Sequence, residues 1–202
     1  MRTVKTAVPF STKLPVVDVE IKNKIKDASG KFHYDKGEIC VAGFFIDDEI
    51  TQLVLKEPNQ EEFRQGVREY LGTINSEKLH AFNTKMEEEC FTKLLGCRLR
   101  MYEIKPPIKG SGTSKEYFFR FLVSKGVEKP ESAFFKDPLN GHSERCPECW
   151  EKGLYEDVRK HNLCCLTKEA LILKNQSFIL KELSHLVDLN GWLKRDVTLP
   201  SV

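Results

Sequence analysis

No apolar run in this chain approaches the roughly 18 residues of a membrane-spanning helix, which excludes a transmembrane protein of that kind. Residues Met1 to Lys13 are mixed polar, without the continuous apolar stretch of a secretory signal. Internal repeats and low-complexity tracts are absent, so solenoids and disordered linkers are not expected. The net charge is only +2, which gives no global electrostatic footprint. A local basic groove for nucleic acid remains open. Nor is there a phosphate cradle, because Gly110-Ser111-Gly112 leads into no Lys-Ser/Thr pair. Cysteine is present but odd in number, at seven, and without an export signal. That argues against a disulfide framework and for a reducing, cytoplasmic setting.

With 202 residues, 40% hydrophobic and 31% charged, the chain reads as one soluble domain with a real core. Strand patterns cover Leu14–Glu20, Glu38–Ile46 and Ile50–Lys56, the last two forming a hairpin around Asp47-Asp48-Glu49. Residues 1–13 read as an extension ahead of the first strand. Asn59 with Glu62 starts a helix whose stripe is Phe63, Val67, Tyr70 and Leu71. A short strand at Lys78–Phe82 follows. Thr84 with Glu87 then forms a capping box for a helix burying Cys90, Phe91, Leu94 and Leu95. Arg98–Ile104 is the fifth strand, and Thr113 with Glu116 caps a further helix. The stretch from Gly126 to about Cys149 is irregular. Helices resume from Glu151 through Lys174 and from Phe178 to Leu189, with 178–202 forming a C-terminal helix and tail. A strand meander followed by alternating helices and strands predicts an α/β fold with a mixed five-stranded sheet.

The most informative run is Leu14-Pro15-Val16-Val17-Asp18-Val19-Glu20. Alternate residues of a strand share a face, so Asp18 and Glu20 point the same way from an apolar strand. Two buried carboxylates are costly unless a cation binds them, and paired carboxylates suit Mg²⁺ or Mn²⁺. Asp-x-Glu alone is weak, because about one is expected by chance in this composition. The valines that bury this one give it weight.

These residues, with the element order, resemble the ribonuclease H-like fold and, more narrowly, the DEDD family of 3′–5′ exonucleases in its compact prokaryotic branch. Asp18-Val19-Glu20 is similar to the family's first motif. Phe82-Asn83-Thr84-Lys85-Met86-Glu87-Glu88 resembles its second, an aromatic-Asn-Gly-Lys run followed by Asp. Thr stands for Gly and Glu for Asp. Spacing from Asn83-x-Lys85 favours Glu88 as the carboxylate over Glu87, which the capping box would occupy. His161-Asn162-Leu163-Cys164-Cys165 resembles the third motif, with Cys165 where the family has its last Asp. Glu169, one turn further along the same face, is the candidate substitute.

The resemblance implies a metal-dependent phosphodiester hydrolase trimming single-stranded DNA or RNA ends. Asp18, Glu20 and Glu88 would hold Mg²⁺ or Mn²⁺, with His161 orienting or deprotonating the water. It also implies contacts to the strand from Asn83, Lys85, Lys109 and Lys115, and a partner of helicase type. The alternative is an inactive nuclease fold that grips nucleic acid or a protein, since thiolate is a poor ligand for Mg²⁺. The same segment has a second pattern, Cys146-x₂-Cys149-x₁₁-His161-x₃-Cys165, similar in spacing to a structural zinc site. Zinc there and catalysis through His161 exclude one another.

Overall fold

A computed structural model describes residues 1–74, 78–108, 114–127 and 133–187. The strands are β1 (Arg2–Ile21), β2 (Ile39–Val54), β3 (Leu79–Ala81) and β4 (Met101–Glu103). The helices are α1 (Gln60–Thr73), α2 (Thr84–Leu95), α3 (Lys115–Ser124), α4 (Cys146–Glu151), α5 (Tyr155–Lys174) and α6 (Gln176–Glu182). The sheet is mixed, in the order β2-β1-β3-β4. β1 runs antiparallel to β2 and parallel to β3, and β3 parallel to β4.

β2 is one strand of 16 residues, yet the Leu55 amide donates to the Cys40 carbonyl at 2.8 Å. A straight strand would hold its ends about 50 Å apart at roughly 3.3 Å per residue. β2 therefore doubles back, and Asp47, with φ of +54°, sits at the reversal. This is the position of the Asp47-Asp48-Glu49 turn in the sequence. β1 follows both arms: Arg2 to Ala7 pair with Val54 to Glu49, and Val16 to Ile21 with Phe45 to Ile39. The first thirteen residues are thus not an extension, because all but Met1 are strand.

β1 divides the core by alternation. Val17, Val19 and Ile21 join Phe63 and Val67 of α1 and Phe91 of α2 on one side. Val16 joins Phe118 of α3 and Leu166 and Ala170 of α5 on the other. Asp18 and Glu20 share Val16's parity and so face the α5 side.

α5 runs unbroken for 20 residues, its side chains from Cys164 to Leu173 all buried. Gly43, paired with Asp18 across the ladder, is what lets it lie so close. A Cβ there would stand 2.2 Å from Asn162 Oδ1 and 2.5 Å from Leu166 Cδ1.

Asn59 caps α1 as its sequence predicts, accepting from the Glu62 amide at 3.2 Å. α3 is capped by Ser114, which accepts from Tyr117, while Thr113 lies outside the described residues. α6 ends at Glu182, earlier than the expected Leu189. All seven cysteines are free thiols. Among the described residues no helix is long and apolar enough to cross a membrane.

Candidate metal centre

Asp18 and Glu20 are 4% and 3% exposed, in the middle of the sheet. Asp18 is held on two sides. Asn162 Nδ2 donates to Asp18 Oδ2 at 2.8 Å and to the Asp18 carbonyl at 3.0 Å. Gln52 Nε2 fixes the Asn162 amide by donating to its Oδ1 at 2.8 Å. From the other side Lys115, at the start of α3, donates to Asp18 Oδ1 at 3.0 Å. The same ammonium is ion-paired with Glu169 of α5, which is fully buried.

Glu87 of α2 lies within electrostatic reach of this group. It is 2% exposed, and Asp18, Glu169 and Lys115 all act on its charge. Glu88, which the motif spacing favours, is elsewhere. It accepts from the Met101 amide at 2.9 Å and pairs with Arg98 at 3.5 Å. The expected capping box does not form either: Asn83 is the N-cap residue and its side chain makes no capping bond. Helical geometry gives the reason. Glu87 shares a face with Cys90 and Phe91, three and four residues on, both fully buried. The apolar stripe of α2 therefore turns Glu87 inward and Glu88 outward.

Acidic groups outnumber basic ones here. Asp18, Glu20, Glu87 and Glu169 face one lysine and one histidine. Burial raises Glu20, Glu87 and Glu169 well above the ordinary carboxylate range. For Lys115 burial acts downward, but Asp18, Cys165 and Glu169 outweigh it and hold it well above an ordinary lysine. Glu87 Oε2 and Glu169 Oε2 are buried and accept no hydrogen bond among the described residues. Buried, unpartnered carboxylate oxygens beside Asp18 suit a hard divalent cation, which takes oxygen ligands.

Glu20 faces a different set. Cys146 Sγ donates to its Oε2 at 3.1 Å, and His161 Nε2 lies 3.8 Å from its Oε1. Ligand atoms of Glu20, Cys146 and His161 lie within 4.8 Å of one another, as do those of Asp18, Glu20 and Cys165. His161 is fully buried. Its Nδ1 contacts Asp137 Oδ1 at 2.8 Å, and Ser143 Oγ lies 3.1 Å from Nε2. Burial acts to lower His161, yet Glu20 and Asp137 outweigh it and raise it. Both ring nitrogens therefore have a polar neighbour, Asp137 at Nδ1 and Ser143 at Nε2.

Cys149 does not join His161 and Cys165. It packs in the core with Trp150 and Val158, and α4 carries Cys146 and Cys149 as helical residues rather than a knuckle. The four-residue Cys146, Cys149, His161, Cys165 set is therefore not assembled.

The expected strand contacts scatter. Lys115 is the counter-ion of the acids, Lys85 is exposed on α2, and Lys109 lies outside the described residues. Asn83 lines a cleft of about 920 Å³ with Glu88, Arg98, Arg100 and Lys105. Sequence reasoning missed the role of Lys115 and of Asp137. Neither belongs to the motif runs, and each meets the site only through the fold. Comparison with protein-family models, with curated proteins and with solved structures finds no match to this chain.

Proposed function

We propose that this chain is a ribonuclease H-like, metal-dependent 3′–5′ exonuclease-type protein acting on single-stranded DNA or RNA ends. The observation that carries the reading is that buried Asp18 of β1 and Glu169 of α5 meet through the Lys115 ammonium, with buried Glu87 of α2 near enough for its charge to be felt by both. The sheet is mixed and flanked by helices, and the acid pair stands on β1, an interior strand between β2 and β3, which accords with the reading. The likeness of the Asp18-Val19-Glu20, Phe82-Asn83 and His161-Asn162 runs to the three family motifs points the same way. Free thiols throughout accord with a cytoplasmic setting, and the resemblance adds a helicase-type partner.

Asp18, Glu87 and Glu169 would hold Mg²⁺ or Mn²⁺, with Glu20 on the flank. Such a cation supplies a hydroxide at neutral pH and neutralises charge on a phosphoryl group in displacement. The chain's residues do the rest. Asn162 and Gln52 fix the Asp18 carboxylate, so its orientation is set before ligand arrives. Lys115 holds the acids together when no cation is there. Asn83, Arg98 and Lys105 line the cleft on which we place the strand.

A second reading has its own observation. Lys115 already provides a positive charge to Asp18 and Glu169, and Cys165 replaces an acid. An inactive fold that binds nucleic acid would look the same. End-labelled single-stranded DNA and RNA, incubated with Mg²⁺ or Mn²⁺, separate the two. The nuclease reading expects shortening from the 3′ end by the wild type and none by Glu169→Gln. Substrate bound but left intact under both metals would favour the inactive fold.

A further inference from the structure

We propose that Glu20, Cys146 and His161 form a second metal site, for a borderline-soft divalent cation such as zinc, distinct from the carboxylate centre. The inference does not rest on the nuclease reading; the two share only Glu20 as a neighbour.

The donor set comes first. A thiol, an imidazole nitrogen and a carboxylate oxygen are the three ligand types of protein zinc sites. Thiolate sulfur is a poor ligand for Mg²⁺, so this set and the all-carboxylate set sort soft from hard cations. Spacing comes second. Zinc bonds of about 2.0 Å to N or O and 2.3 Å to S put tetrahedral ligand atoms roughly 3.3–3.8 Å apart. Here one ligand atom each of Glu20, Cys146 and His161 lies within 4.8 Å of the others, with Cys146 Sγ 3.1 Å from one Glu20 oxygen and His161 Nε2 3.8 Å from the other, so small side-chain rotations would bring the three to that spacing. Cys165 Sγ, 3.7 Å from His161 Nε2, borders the open fourth position.

The ring's orientation is an independent observation. Asp137 Oδ1 lies 2.8 Å from His161 Nδ1. The Asp137 carboxylate is itself pinned by the amides of Leu139 at 2.8 Å and Gly141 at 2.7 Å. A carboxylate can only accept from the ring, so Nδ1 carries a proton and Nε2 is the nitrogen left to ligate on the side of Glu20 and Cys146. A carboxylate behind the histidine is how metal-bound imidazoles are usually held. Ser143 Oγ lies 3.1 Å from Nε2, and its hydroxyl would turn away as a cation arrives.

A cysteine nucleophile made of Cys165, His161 and Asp137 is the rival use of these side chains. It fails on access: Cys165 is 6% exposed, and burial pushes its thiol up to about 12. A metal instead ties three separate elements, β1, α4 and α5, through one point. It would fasten the segment ahead of α4, whose described residues from 133 to 145 hold only short 3-10 turns.

The test is metal analysis of protein purified without chelator, followed by replacement with Co²⁺. The wild type should carry about one zinc per chain. Its cobalt form should absorb in the near ultraviolet through thiolate-to-metal charge transfer. Cys146→Ser should lose both signals and Cys149→Ser should keep both. If Cys146→Ser does not fold, Asp137→Asn serves, with an expected loss of about 10–100-fold in zinc affinity. Glu87→Gln should keep zinc while binding Mn²⁺ about tenfold or more weakly, so the failure of either site is seen separately. Wild-type protein that neither contains zinc nor binds added Zn²⁺ overturns the proposal. So does zinc lost in Cys149→Ser but retained in Cys146→Ser.

Discussion

Lys115 Nζ lies 3.0 Å from Asp18 Oδ1, although the two residues are 97 positions apart. The ammonium also pairs with Glu169, so one side chain joins the first strand to the central helix. In the metal-free protein it does the work of a cation tethered to the chain. Three buried carboxyls stand near this one ammonium, and burial favours the protonated form of Glu87 and Glu169, so a divalent ion would take the place of those protons.

Replacing Lys115 by Met should separate these roles. Removing one partner of a buried pair leaves the other charge uncompensated, at about 3 kcal/mol. Urea unfolding of metal-free Lys115→Met should show a loss of that order, recovered on adding Mn²⁺. Mn²⁺ affinity should rise at least about tenfold, since a like charge close to the ion has gone. Unchanged stability together with unchanged Mn²⁺ affinity would show that Lys115 is not the acids' counter-ion.

Adjacent glutamates on α2 make a sharper comparison. Glu87→Gln removes a buried carboxylate of the cluster and should reduce Mn²⁺ affinity by about tenfold or more. Glu88→Gln alters only the Met101 amide and Arg98 contacts, and should leave metal binding within about twofold. Isothermal calorimetry on both variants reads this directly. The reverse order would return the second motif's acid to Glu88.

Gly43 offers a test of how α5 reaches the acids. Gly43→Ala puts a methyl group 2.2 Å from Asn162 Oδ1, so helix or strand must move. Overpacking of this kind costs about 1–3 kcal/mol. The shift should also weaken the Asn162–Asp18 bond and with it Mn²⁺ affinity. Denaturant midpoints and metal titration together check it; a variant as stable as wild type would mean that α5 is not in close contact with β2.

Acidity gives a fourth expectation. Burial raises Glu20, Glu87 and Glu169, so the folded metal-free protein keeps protons that the unfolded chain gives up above about pH 4.3. Fewer protons on the unfolded state means that stability falls as pH rises through the interval between unfolded and folded values. His161, also raised, acts in the same sense above about pH 6.5. Metal must displace those protons, so its apparent affinity should climb with pH, by up to about tenfold per unit for each proton released. Thermal melts between about pH 5 and pH 8 should show falling stability without Mn²⁺ and a growing gain with it. Stability independent of pH, with and without metal, would contradict the raised carboxyls.

Parts of this centre are written in short sequence runs and parts are not. Alternation on an apolar strand is enough to find Asp18 and Glu20, because strand parity is local. Glu169 follows from helix periodicity once Cys165 breaks the expected motif. Glu87 was legible too, from its stripe with Cys90 and Phe91, but a matching capping-box pattern competed for it and lost. Lys115 and Asp137 had no local signal; their positions depend on where α3 and the stretch before α4 dock. The strands tell the same story. β1 and β2 carry long alternating runs, whereas β3 and β4 pair over only three residues each, fewer than their apolar runs suggest. Residues 2–13 read as polar tail because one edge of that stretch is exposed, yet pairing with β2 makes it strand.

The most direct measurement is a Mn²⁺ titration of metal-free protein, followed by electron paramagnetic resonance, on the wild type, Asp18→Asn and Glu169→Gln. Free Mn²⁺ gives a sharp six-line signal that broadens away on binding. The account predicts saturable binding by the wild type, lost in both variants while their circular dichroism stays that of the folded protein. A wild type that leaves the Mn²⁺ signal untouched, or variants that bind as it does, would contradict a metal centre built on Asp18, Glu87 and Glu169.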